Sequence, residues 1–142
     1  MLELKIKLIE KITKEIENKI LDAEKSYQLA KESRDADTKS SAGDKYETGR
    51  EMMQKEMDKN LSLKTQYQQQ LNQLKHATSQ LIKTTQGVFL LCIGLGKITF
   101  EHQDYFVISQ ESPVGQQLKG KQPGDSYVIN GKEFKIESIA YG

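Results

Sequence analysis

The sequence predicts an α+β protein: a long antiparallel helical hairpin of coiled-coil type, followed by a small β-rich domain with one short helix. Three observations predict it. Residues 2–34 contain neither glycine nor proline and carry a helical apolar stripe. Residues 44–83 hold one glycine, Gly49, and carry a second stripe. From Gly87 the composition changes to short apolar runs separated by turn residues, the pattern of strands in a small sheet.

The first stripe runs Leu2, Ile6, Ile9, Ile12, Ile16, Ile20, Ala23, Tyr27 and Ala30. Its steps of three and four residues approach the heptad repeat. The second runs Tyr46, Met53, Met57, Tyr67, Leu71, Leu74 and Leu81, with Asn60 and Lys64 at weaker points. Between them lies the small, polar segment Ser33–Gly43, suited to a helix–helix turn, in which Asp37, Ser40 or Ser41 is placed to cap the second helix. Two helices of similar length joined in this way pair antiparallel. At 1.5 Å per residue, an arm of about 33 residues extends roughly 50 Å. The expected organisation is a hairpin over 1–83, with its tip at about 35–44, and a second domain over 84–142.

In the second domain Val88–Ile93, Ile98–Phe100 and Tyr105–Ser109 read as strands. Ser112–Leu118 reads as a short helical turn with Pro113 in its first position. Tyr127–Ile129 and Glu133–Ile136 read as strands joined by Asn130–Gly131, a favoured hairpin dipeptide.

Several function classes find no support. Net charge is +1, which gives no bulk electrostatic case for sequence-specific DNA binding or for a membrane surface. No apolar run approaches the roughly 20 residues of a membrane span. The N-terminus alternates charges and does not read as a signal peptide, so the expected location is cytoplasmic. The charges are unevenly placed: after Asp58 the next acidic residue is Glu101, and Lys59, Lys64, Lys75, Lys83 and Lys97 lie between. That run reads as a solvated glutamine-rich face or as a contact for an acidic partner. Cys92 is the single cysteine, set in an apolar run, and reads as a core residue. His76 and His102 give no metal spacing. Gly94-Leu95-Gly96 lacks the third glycine and the following helix of a dinucleotide loop. The chain is not expected to be an enzyme.

The segment Tyr105–Asp125, with Ser112-Pro113-Val114-Gly115 and Pro123-Gly124-Asp125 at its centre, resembles the C-terminal domain of the GreA/GreB transcript-cleavage factors. Gly131–Ile136 is similar to that family's last strand, and the preceding hairpin matches its other domain in order and rough size. The resemblance implies an FKBP-like second domain that docks on RNA polymerase, with Ser112, Pro113, Val114 and Gly115 as the docking candidates. It implies a monomeric regulator whose coiled-coil tip enters the polymerase secondary channel, in indirect contact with nascent RNA. Acidic tip residues would then share Mg²⁺ with the polymerase, a hard cation suited to carboxylate oxygens. Tyr46 and Arg50-Glu51 align with the family's tip. Counting back from Tyr46, the family's aspartate and glutamate positions fall on Lys39 and Ala42. The acidic residues nearby are Asp35, Asp37, Asp44 and Glu47, with Asp37 and Asp44 the candidates for sharing Mg²⁺. The resemblance thus leaves two mechanisms open, stimulated cleavage and inhibition or retuning of the polymerase. A different class, a structural or adaptor protein whose hairpin binds another helix, also accounts for the hairpin.

Overall fold

The computed structural model describes residues 1–37, 43–76 and 78–141; the side chains of 37 and 43–48 lie outside that description. Two long helices, α1 (Leu2–Asp37) and α2 (Gly43–His76), precede a six-stranded sheet, with one short helix, α3 (Pro113–Leu118), between two of its strands in the chain, an α+β layout. The chain divides into two compact units. One comprises Met1–Ile12 and Gln73–Gly142, the other Thr13–Asn72.

In the helical unit three side-chain contacts fix the direction of pairing. Lys19 lies over the Tyr67 ring, 5.7 Å from its centre; Lys64 Nζ is 2.7 Å from Glu24; Arg34 Nη1 donates to Gln54 at 2.8 Å. Numbers rise along α1 as they fall along α2, so the helices run antiparallel. The facing residues are Ile16, Ile20, Ala23, Tyr27 and Ala30 on one side and Met53, Met57, Asn60, Tyr67 and Leu71 on the other, all buried or half-buried. Their steps of three and four residues, with one of seven from Asn60 to Tyr67 where Lys64 intervenes, form a narrow seam, as the apolar pattern predicts for this stretch.

The other unit is built on a sheet of order β3-β4-β2-β1-β6-β5. Its strands are β1 (Gln80–Thr84), β2 (Val88–Cys92), β3 (Gly96–Phe100), β4 (Gln103–Ser109), β5 (Ser126–Ile129) and β6 (Lys132–Tyr141). All neighbours are antiparallel except β2 and β4, which pair in parallel with Leu90 opposite Val107. α3 (Pro113–Leu118) carries the chain from β4 to β5, near the opposite edge of the sheet. Alternation along the strands divides the apolar residues between two faces. Ile82, Phe89, Leu91, Tyr127 and Ile136 pack with Leu118 of α3. The alternate residues Leu81, Leu90 and Val107 are also inaccessible. On their side lies the start of α1: Leu8 and Ile12 are fully buried, Ser138 Oγ reaches Met1 Sδ, and the Lys5 charge acts on Cys92.

Two expectations are corrected. The second helix ends at His76, and Gln80–Thr84 is a strand, so Leu81 belongs to the sheet rather than to the helical stripe. The helix-forming pattern to 83 contains no glycine or proline after Gly49 to stop it, but Ile82, Thr84 and Thr85 are β-branched and favour extended backbone. At the start of α1 the stripe is also displaced. Leu2 and Ile6 are about half exposed, whereas Lys5 and Leu8 are buried. Those turns pack against the sheet unit, and a heptad seam does not describe that contact.

Candidate functional site

The docking candidates form one small, tightly bonded element. β4 ends at Ser109, whose carbonyl oxygen accepts from Ser112 N at 3.3 Å and from Ser112 Oγ at 2.7 Å. Ser112 Oγ in turn accepts from Gly115 N at 3.0 Å. Ser112 is therefore the N-cap of α3, satisfying an amide that has no partner within the helix. Pro113 occupies the first turn, where its missing N–H costs nothing. Val114 is half-buried against the apolar core, and Gly115 is buried. A β-carbon at Gly115 would run into the Ser109 carbonyl oxygen and approach Ser112 Oγ to 2.8 Å. The outward-facing surface is left to Pro113, Gln116 and Gln117. The Ser112 hydroxyl both donates and accepts within the turn, so it is committed to structure. This element can present a fixed surface to a partner; it carries no nucleophile.

At the other candidate region the described residues include Asp35. Its carboxylate is held by Arg34 through Nε at 3.2 Å and Nη2 at 3.1 Å. Arg34 also reaches Gln54 on α2, which donates to Asp58 at 3.1 Å. Asp35 is exposed, so this pair holds its carboxylate only weakly. The side chains of Asp37, Asp44 and Glu47, and the whole of Lys39 and Ala42, lie outside the described residues. Among the described residues no three His, Cys, Asp or Glu side chains are grouped to hold a metal ion.

The structure adds a feature that sequence spacing did not reveal. A groove of about 410 Å³ in the sheet unit is lined by Gln73, His76, Cys92, Ile93, Gly94, Ser109 and Glu111. It brings His76 and Cys92 to one place, although sixteen positions separate them in the chain. Their proximity depends on α2 ending where it does, and no periodicity announces that. Burial pushes the Cys92 thiol up to about 11, so at neutral pH it stays protonated and is a weak nucleophile.

The lysine run is largely paired within the chain. Lys64 binds Glu24, Lys97 lies 3.5 Å from Asp104, and Lys83 lies 3.9 Å from Glu137. The Lys64 hydrogen bond holds the Glu24 carboxyl below its ordinary range; the Thr99 hydrogen bond, helped by Lys97, does the same for Asp104. Lys59 and Lys75 are exposed. The run therefore offers an acidic partner a smaller patch than its length in sequence implies. Comparison with family models, characterised proteins and solved structures finds no match for this chain.

Proposed function

We propose that this chain is a regulator of RNA polymerase built on the plan of the Gre factors. In this reading α1 and α2 form a coiled-coil hairpin whose tip enters the polymerase secondary channel. The sheet unit is FKBP-like and docks on the polymerase surface through the neighbourhood of Ser112, Pro113, Val114 and Gly115. The observation that carries the reading is the agreement between the family-like segment and one local structure. Strand, cap, proline-started helix and closely packed glycine follow one another from Tyr105 to Leu118, and the antiparallel helix pair precedes them.

The mechanism we favour is modulation of initiation or elongation without RNA shortening. Lys39 and Ala42 stand where the family carries acidic residues, and Asp35 is engaged by Arg34. A lysine near a divalent cation opposes its binding. Asp37 and Asp44 are the carboxylates left to share Mg²⁺ with the polymerase if the chain stimulates cleavage.

Cognate core polymerase immobilised on a matrix should retain the chain, and loss of binding even at low salt would overturn the proposal. With stalled complexes, shortened RNA that disappears in Asp37→Ala or Asp44→Ala would select the cleavage mechanism. Altered pausing with RNA of full length would select modulation. The adaptor reading draws on Leu21, Leu29, Met52 and Leu61, which stand half or more exposed on the helices. A stable helical oligomer in sedimentation, without polymerase affinity, would replace the first reading with that one.

A further inference from the structure

The seam between α1 and α2 is unevenly packed. At one level Ile16, 2% exposed, faces Leu71; further along, Ala30 and Met57 are 5% and 4% exposed. Between these levels α2 contributes Asn60 and Lys64, where a continuous apolar seam would carry leucine or isoleucine. Asn60 is 5% exposed, and its Nδ2 has no hydrogen-bond partner among the described residues. A groove of about 230 Å³, open to solvent, lies beside it, lined by Lys19, Asp22, Ala23, Ser26, Asn60, Leu63 and Tyr67. The unpartnered amide thus lies next to a path for water.

The amide has a known consequence. Buried without a partner, it loses its hydration and gains nothing in return. That penalty is relieved when the helices part and water from the groove reaches it. It does not apply at the apolar levels on either side. What holds this level closed is polar: the Glu24–Lys64 ion pair at 2.7 Å and Lys19 over Tyr67. Both lie near the surface, where salt weakens charge interactions.

We infer that the level of Asn60 is a built-in opening point in the helix pair, latched by the Glu24–Lys64 pair. The part of the pair beyond it, at the levels of Ala30 with Met57 and Arg34 with Gln54, can thereby shift without separating the Ile16–Leu71 level. The inference concerns the helix pair alone and stands whether or not polymerase is the partner.

Amide hydrogen exchange on the full chain tests it. In the wild type, amides of 20–27 and 60–67 should exchange faster than those around Ile16, Leu71 and Met57, and the difference should widen with added salt. Asn60→Leu should slow exchange at 20–27 and 60–67 by roughly tenfold. Asn72→Leu makes the same chemical change at an exposed site of the same helix and should leave those segments unchanged. Uniform protection along the wild-type pair would overturn the inference, as would equal slowing by both variants, which would reduce the effect to helix propensity.

Discussion

At position 115 a single added carbon would meet two oxygens at once, the Ser109 carbonyl and Ser112 Oγ. The carbonyl is backbone, fixed by the end of β4 and by two hydrogen bonds from Ser112, and cannot swing aside as a flexible side chain would. Relief requires α3 to lift, which would pull Leu118, fully buried, out of the core. Gly115→Ala should therefore cost about 3 kcal/mol, as overpacking at a rigid site does. A urea unfolding curve should show a lower midpoint with little change in slope. Wild-type stability in that variant would mean that the close approach is not rigid. The same geometry separates two roles that the sequence leaves merged at Ser112, Pro113, Val114 and Gly115. Ser112 and Gly115 hold the turn together, Val114 packs inward, and Pro113 faces out. Substitutions at Pro113 are accordingly the ones that probe docking without disturbing the fold.

The two hairpins of the sheet unit that have two-residue loops use the same backbone with different residues. Asn130 and Gly131, between β5 and β6, have φ of 51° and 80°. Glu101 and His102, between β3 and β4, have φ of 50° and 66°. Both are two-residue loops with left-handed residues, the conformation that matches strand twist and that Asn-Gly adopts readily. Glutamate and histidine have β-carbons that crowd there. Replacing Glu101-His102 with Asn-Gly should raise stability by about 1 kcal/mol, read as a higher melting temperature; no gain would show that neighbouring contacts already offset the strain. This contrast also shows what was legible. Asn130–Gly131 announces its turn by composition, and Pro113 announces the start of α3. β1 does not announce itself, because the segment leading into it from α2 carries no breaker and its leucine continues a helical spacing. The displaced stripe at the start of α1 has a similar origin: periodicity reports that a helix has an apolar side, but the seam there turns to meet a sheet. At the candidate site, the short helical turn begun by Pro113 was readable from the sequence, while the Ser112 cap came from the structure. That His76 and Cys92 line one groove was not readable, since it depends on where two separate elements end.

At the scale of the whole molecule, the sheet unit is assembled from two segments far apart in sequence, 1–12 and 73–142. Leu8 and Ile12 are completely buried, and on the sheet so are Leu81, Leu90 and Val107. Each buried side chain of this size contributes roughly 1.5–3 kcal/mol through removal from water. Removing residues 1–12 should thus leave one face of the sheet uncovered. The shortened chain should bind a hydrophobic dye, and Cys92 should react with a thiol reagent much faster than in the full chain, where it is buried with its thiol held up to about 11. Unchanged thiol reactivity would mean that the sheet buries Cys92 without help from the first turns of α1.

α1 therefore belongs to both units, and this places a constraint on the order of events during synthesis. Its first turns leave the ribosome well ahead of the strands that receive them: Met1 meets Ser138. The helix pair of Thr13–Asn72 is complete in sequence and can form from local contacts while the remainder is still being made. Leu8 and Ile12 must wait through that interval with their apolar surface uncovered. The sheet unit closes only when β6 emerges, so residues 1–12 and their partners on β6 come together late in its folding.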